Sequence, residues 1–294
     1  MAVMTADRVL RLRAGRILGY CEYGDPSGRP LMVFHGLPGS RLSGVLFDEP
    51  ARERGIRVLA VDRPGFGLSD FQHRRRIVDW PVDVAELADA LDLERFAVVG
   101  VSGGGPYAAV CAWALPERVS AAGIVSGVGP FEQPDAADGM GQANRVLFRI
   151  ARSAPFLVGP PIWFTSLVVR RTSEKTMARM VKSVPAADRA VFENKDMLRL
   201  FRRDLREAFR VGTVGAAHET RLVVKPWGFP VGGIRVPVHL WQGLDDENVP
   251  PSMGRYQARV IPDCQAEFIP GAGHLWVFEH PSDVLDALFR PKAS

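Results

Sequence analysis

Cysteine is scarce in this sequence, with only Cys21, Cys111 and Cys264 among 294 residues. No two of them form a CxxC pair, the spacing typical of zinc ribbons and redox motifs. Small disulfide-bonded domains carry several closely spaced pairs, so this scarcity argues against a disulfide framework. We therefore expect a reduced, cytoplasmic compartment, no metal site, and stability that comes from a hydrophobic core.

Long apolar runs are lacking as well. The best candidate, residues 155–169, contains Pro160 and Pro161 and is shorter than the roughly 20 residues of a transmembrane helix. Residues 1–16 have no apolar segment of the signal-peptide type. The basic run at residues 73–76, HRRR, is short and has no aromatic neighbours of the kind that nucleic-acid sites use. We expect no membrane span, no signal peptide and no nucleic-acid partner.

Positive charge is present in excess, and it is unevenly distributed. The net charge is +4, and residues 130–230 contain seventeen Lys and Arg against ten Asp and Glu. The simplest interpretation is a set of solvated helix faces. An alternative is that this basic region, together with residues 155–169, binds acidic substrates or an anionic membrane surface.

Short apolar runs alternate with helical patterns along most of the chain. The predicted strands cover residues 16–23, 31–34, 58–61, 96–101, 122–125, 238–241 and 266–269. Helical periodicity is found at residues 82–91 and again from Ser282, after Pro281. This alternation predicts an α/β fold with a mostly parallel central sheet flanked by helices.

The alternation stops between residues 130 and 230, where the pattern is helical. Its clearest helix has Leu198, Phe201, Leu205 and Ala208 at three- and four-residue spacing. Gly- and Pro-rich joints flank the region on both sides. We predict an N-terminal core part (1–129), an inserted helical cap (130–230) and a C-terminal core part (231–294).

A single serine ends the predicted strand at residues 96–101. Residues 100–104 read GVSGG, which fits the pattern G-x-S-x-G, and Pro106 suits the first turn of a following helix. In this strand–turn–helix context the pattern is typical of a nucleophilic serine on a sharp turn. A phosphate-binding loop is the main alternative, but GxxxxGK[ST] and GxGxxG are both missing.

A serine hydroxyl needs a general base and an orienting carboxylate before it can act as a nucleophile. His274 follows the last predicted strand, and Asp245 and Asp246 follow the one before it. The carboxyl ends of parallel strands meet at one edge of the sheet, so these loops can converge on Ser102. His280 is an alternative base, and Glu132 an alternative acid.

Four stretches resemble the α/β-hydrolases of the cap-bearing, esterase-like type. They are HGLPGSR (35–41), DRPGFGLSD (62–70), GVSGGGPYA (100–108), and GLDDENVP (243–250) with GAGH (271–274). The resemblance implies Ser102 as nucleophile, Asp246 as acid and His274 as base. It also implies that the backbone N–H groups of Leu37 and Gly103 form the oxyanion hole. Gln242 replaces a histidine found in many relatives, and we expect this to leave the chemistry untouched.

The resemblance implies a cofactor-free serine hydrolase that acts on small to medium carboxylic esters. Hydrolysis of lactones, amides or C–C bonds and perhydrolysis use the same triad and stay open. Related dehalogenases and epoxide hydrolases use an aspartate nucleophile, which Ser102 argues against. A non-catalytic ligand-binding protein on the same scaffold is the alternative from another class. Oligomeric state is left open.

Other side chains have two interpretations each. Trp163, Phe164 and Trp227 either line a substrate pocket or hold the cap onto the core. We expect His35 to shape its turn, and Arg63 to brace a loop by pairing with an aspartate.

Overall fold

A central eight-stranded sheet organises the computed structural model, which describes residues 7–181 and 184–290. The strands are β1 (Arg8–Arg11), β2 (Ile17–Gly24), β3 (Arg29–Phe34), β4 (Ile56–Val61), β5 (Phe96–Val101), β6 (Val119–Val125), β7 (Val238–Gly243) and β8 (Cys264–Ile269). Their order is β1-β2-β4-β3-β5-β6-β7-β8; β2 runs antiparallel to β1 and β4, and all other neighbouring pairs are parallel. This confirms the predicted fold class. The edge strand β1 was not predicted.

Helices account for most of the remaining chain. Within the described ranges the α-helices are α1 (Asp48–Glu53), α2 (Trp80–Ala90), α3 (Gly105–Ala114), α4 (Gln142–Ser153), α5 (Gly159–Arg171), α6 (Glu174–Met180), α7 (Ala186–Arg189), α8 (Lys195–Ala208), α9 (Val214–Val223), α10 (Pro251–Val260) and α11 (Pro281–Leu288). Both α2 and α11 begin slightly earlier than predicted, because Pro81 and Pro281 fit into the first turn, where a missing N–H is harmless.

The sheet is covered on both faces, which explains its apolar strands. In β5, Phe96 and Val98 pack into one core with α2 and α3, whereas Ala97 and Val99 pack into a second core with α1 and α11. Successive side chains of a strand point to opposite faces. A strand between two helical layers therefore needs apolar residues at every position, as the sequence has here.

Residues 130–230, here called the inserted segment, connect β6 to β7 and contain α4 to α9. Its described residues form no strand. Asn194 caps α8 by accepting hydrogen bonds from the backbone N–H groups of Asp196 and Met197. The division into three domains stays a prediction. None of the helices in residues 7–181 and 184–290 is long and apolar enough to cross a bilayer.

Candidate active site

Ser102 lies on a strained turn between β5 and α3. Its φ of 54° is left-handed, a conformation that costs a non-glycine residue about 1–3 kcal/mol. A Cβ on Gly100 would collide with the carbonyl oxygen of Gly104, and one on Gly104 would collide with that of Phe34 in β3. Glycine at these two positions therefore lets the chain reverse tightly and pack against β3. The turn leaves Ser102 only partly buried.

The structure brings Ser102, His274 and Asp246 into one hydrogen-bonded chain. His274 Nε2 is 2.9 Å from Ser102 Oγ, and His274 Nδ1 is 2.8 Å from Asp246 Oδ2. Both are hydrogen-bonding distances, the first suited to proton transfer from a serine to its base and the second to orientation of that base by a carboxylate. The three loops follow β5, β7 and β8. His280, the alternative base, instead contacts Asp283 at the exposed start of α11.

Asp246 is the buried carboxylate of this loop, with 2% of its surface exposed. Its Oδ1 accepts hydrogen bonds from the backbone N–H groups of Asn248 (2.8 Å) and Val249 (2.9 Å). These bonds fix the position of the carboxylate. The alternative acids Asp245 and Glu132 are both exposed.

Gln242 is part of the same network, and the expectation that it leaves the chemistry untouched stays a prediction. Its side-chain amide donates to Asp246 Oδ2 at 3.2 Å, the oxygen that also binds His274. The amide further contacts the carbonyls of Gly243 and Val249. Gln242 therefore orients the acid with a neutral donor. The sequence showed only a glutamine four residues upstream of an aspartate, with no indication of where its amide points.

The electrostatics of the site raise the pKa of the His274 imidazole. Burial alone lowers the pKa of His274, but the charge and hydrogen bond of Asp246, with a further contribution from Asp188, raise it above its ordinary value. An imidazole in this setting accepts a proton from serine readily, because the surrounding carboxylates stabilise the imidazolium. Asp188, in α7, was not identified from the sequence.

Two backbone N–H groups lie beside the serine. A Cβ on Gly103 would be 3.2 Å from the backbone nitrogen of Leu37, and one on Gly36 would be 4.0 Å from Ser102 Oγ. The loop of Leu37 therefore lies directly against the serine turn. No protein acceptor among the described residues satisfies the N–H of Leu37 or Gly103. Paired donors of this kind suit the negatively charged oxygen of a tetrahedral intermediate.

Arg63 braces the Leu37 loop, but its partner differs from the prediction. It donates to the carbonyl oxygens of His35 and of the residue after it. Its acidic partner is Glu219 of α9, at 2.5 Å, not an aspartate; the adjacent Asp62 pairs with Arg41 at 2.9 Å. His35 is buried and shapes this turn, accepting a hydrogen bond from the backbone N–H of Arg63 at 3.1 Å.

The three aromatic residues proposed for the pocket occupy different environments. Trp163 and Phe164 are 58% and 61% exposed on α5, so neither lies in a buried pocket or in the core. Trp227 is buried, stacks on Phe229, and donates its indole N–H to the carbonyl of Val223. Its surroundings favour a structural role. A part in substrate binding stays a prediction for all three.

Cysteine and metal chemistry have little support in the described residues. Burial raises the pKa of Cys21 and Cys264 to about 11, and raises that of buried Cys111 well above its ordinary value. These thiols are therefore protonated at neutral pH and weakly nucleophilic. Residues 7–181 and 184–290 contain no group of three or more His, Cys, Asp or Glu that could hold a metal ion.

Comparison with known proteins identifies the family. A family profile described as "alpha/beta hydrolase fold" matches residues 29–281, a range that includes the Leu37 loop and all three residues of the hydrogen-bonded chain. The chain belongs to the α/β-hydrolase fold family. A solved α/β-hydrolase fold protein from Chitinophaga pinensis superposes with a TM-score of 0.70 at 19% identity, covering 99% of this chain and 98% of that one.

Curated relatives of this α/β-hydrolase carry diverse names. The dihydrolipoyllysine-residue acetyltransferase component of an acetoin cleaving system from Pseudomonas putida is 27% identical over 92% of this chain and 65% of its own length. A non-heme chloroperoxidase from Streptomyces lividans is 38% identical over 40% of this chain and 43% of its own. This chain therefore spans less than two thirds of either relative.

Proposed function

We propose that this α/β-hydrolase is a cofactor-independent serine hydrolase that cleaves small to medium carboxylic esters. The observation that carries the proposal is the hydrogen-bonded chain Ser102–His274–Asp246 beside two unsatisfied backbone donors. Each group has the position that acyl transfer through a covalent intermediate requires.

In the proposed reaction Ser102 Oγ attacks the ester carbonyl carbon while His274 Nε2 accepts the serine proton. Asp246 stabilises the resulting imidazolium, and the N–H groups of Leu37 and Gly103 bind the oxyanion. Loss of one such donor typically raises the barrier by about 3–4 kcal/mol. The imidazolium then protonates the leaving alcohol. Water, activated by the same imidazole, hydrolyses the acyl-enzyme and regenerates Ser102.

A serine nucleophile argues against epoxides as substrates. Attack of a serine hydroxyl on an epoxide would form an ether, which has no carbonyl carbon for water to attack. Turnover would stop at that adduct. Carbonyl substrates avoid this problem, and lactones, amides and cleavable C–C bonds beside a carbonyl give the same acyl-enzyme. Peroxide in place of water would release a peracid.

The proposal is tested with 4-nitrophenyl esters of increasing acyl length and with a fluorophosphonate probe. Ser102→Ala should lose at least about a thousandfold in kcat/KM and should not be labelled. The matched control is Ser126→Ala. Ser126 also ends a strand with a left-handed φ, of 45°, but its buried hydroxyl has no partner in the described residues.

The outcome also separates enzyme from binding protein. Labelling of the wild type and of Ser126→Ala, but not of Ser102→Ala, supports a serine hydrolase. A wild type that resists the probe and turns over no ester would instead favour a ligand-binding protein on this scaffold.

A further inference from the structure

Asp188 is a second buried carboxylate at the histidine loop, contributed by the inserted segment. It is 1% exposed, and its Oδ1 accepts a hydrogen bond of 2.7 Å from the backbone N–H of Leu275. Its Oδ2 is buried and has no hydrogen-bond partner in the described residues. The carboxylate therefore binds the chain at the residue immediately after the histidine.

The surrounding packing holds Asp188 in this position. A Cβ on Gly273 would collide with the Asp188 carboxylate, so the close approach depends on glycine there. The side chain of Leu275 packs against an apolar cluster of the inserted segment formed by Met177, Phe192 and Leu198. The ring of Phe201 in α8 also contacts Phe278 beyond the histidine loop. The contact thus belongs to an interface and is not isolated.

The ionisable groups that face Asp188 are His274 and Asp246. Burial raises the pKa of Asp188, whereas the hydrogen bond from the Leu275 N–H and the charge of the imidazole oppose this change. In return Asp188 raises the pKa of His274, after the larger effects of burial and Asp246. One imidazole is therefore flanked by two carboxylates, from the β7 loop and from the inserted segment.

We propose that Asp188 is a positioning residue that links the inserted segment to the general base, by anchoring the backbone N–H of Leu275, next to His274, and by placing a second negative charge near the imidazole. This inference rests on the proposed function for its consequence in catalysis. The effect of Asp188 on the pKa of the His274 imidazole does not depend on that function. The second charge stabilises the imidazolium that forms when Ser102 loses its proton. Because Asp188 lies in α7, this stabilisation of the imidazolium requires that the inserted segment stay packed against the histidine loop.

The decisive measurement is the pKa of His274, followed by NMR titration of its Cε1–H signal. Asp188→Asn keeps the shape and one acceptor oxygen for Leu275 but removes the charge. Asp188→Ala removes both the charge and the acceptor oxygen, and it serves as a second variant should Asp188→Asn fail to fold. The matched control is Asp196→Asn in α8, which removes an equal charge from a carboxylate whose side chain is 82% exposed.

We expect the His274 pKa to fall by about half a unit to one unit in Asp188→Asn and Asp188→Ala, and to stay at the wild-type value in Asp196→Asn. The acidic limb of kcat/KM for 4-nitrophenyl acetate should move by the same amount. A purely structural role would lower the melting temperature but leave unchanged the His274 pKa from NMR and the pKa of the acidic limb of kcat/KM. That result would overturn the proposal.

The anchoring role has a separate readout. At a pH above the acidic limb of every variant, kcat should fall further in Asp188→Ala than in Asp188→Asn, because only asparagine keeps the acceptor for Leu275. Equal falls in kcat for the two variants would refute the anchoring of Leu275 by Asp188. The NMR titration needs no substrate, so it decides the electrostatic part even where the ester hydrolase proposal fails.

Discussion

Glu219 is the most informative residue to change outside the hydrogen-bonded chain of Ser102, His274 and Asp246. It is fully buried in α9, with Oε1 at 2.5 Å from Arg63 and Oε2 at 2.5 Å from Arg75. The hydroxyl of Tyr107 donates to Oε2 at 3.1 Å. Glu219→Gln keeps the shape of the side chain and removes its charge, which leaves two buried guanidinium groups without a counter-ion.

Two lines of reasoning give the magnitude. Burial alone would raise the pKa of Glu219, but the charges of Arg63 and Arg75 outweigh it and lower the value from 4.5 to about 2. At 1.36 kcal/mol per unit, this shift corresponds to about 3 kcal/mol of stability near neutral pH. Removing one partner of a buried ion pair typically costs about 3–5 kcal/mol. We therefore expect Glu219→Gln to lose about 3 kcal/mol at pH 7.

Urea unfolding monitored by circular dichroism measures this loss. The matched control is Glu174→Gln, which breaks an exposed pair with Arg199 and should change stability by less than about 0.5 kcal/mol. A depressed carboxyl pKa contributes stability above its unfolded value, and that stability is lost as the pH falls through the folded value. The difference between wild type and Glu219→Gln should therefore shrink between pH 4.5 and 2.

One result would refute this reasoning. If Glu219→Gln unfolds within about 1 kcal/mol of the wild type at pH 7, or no further from it than Glu174→Gln, the buried cluster does not hold α9 to the core.

Two further changes test other parts of the fold. Asp204 accepts hydrogen bonds from Ser40, and burial raises its pKa to about 7. Its contribution to the free energy of unfolding is therefore fully present below pH 4 and is lost as the pH rises through 7. The free energy of unfolding of Asp204→Asn should thus fall less than that of the wild type between pH 5 and pH 8 in urea titrations; parallel falls would contradict this. Gly104→Ala should lose at least about 3 kcal/mol, since its Cβ would collide with the carbonyl oxygen of Phe34. Gly159→Ala, whose Cβ meets nothing within 4 Å, should unfold like the wild type, and a similar loss in both would refute the steric argument.

The sequence was sufficient for the parts of the structure that depend on local pattern. Buried parallel strands appear as apolar runs, and each of them ends in a loop at the same edge of the sheet. The positions of Ser102, Asp246 and His274 follow from this geometry. Strand β1 was missed because three of its four side chains are exposed, so Arg8–Arg11 shows no apolar run.

Contacts between residues that are far apart in the sequence leave no local sequence pattern. Glu219 and Arg63 are 156 positions apart in the sequence, and Asp188 and Leu275 are 87 apart. A carboxylate on a helix looks the same in sequence whether it faces water or a buried partner. The solvated helix faces expected for residues 130–230 concerned their basic excess, and that expectation does not extend to these buried acids.

The acidic residues of the inserted segment show how it is attached. Its contacts to the core include Asp188 with Leu275, Asp204 with Ser40, Glu207 with Arg41, and Glu219 with Arg63 and Arg75. Because these four carboxylates point inward, much of the basic excess remains on the outer surface. Two of these contacts, Glu207 with Arg41 and Glu219 with Arg63 and Arg75, are ion pairs, whereas Asp188 and Asp204 accept hydrogen bonds from the core. The inserted segment is therefore held to the core by polar contacts at four separate positions, one of which is the histidine loop.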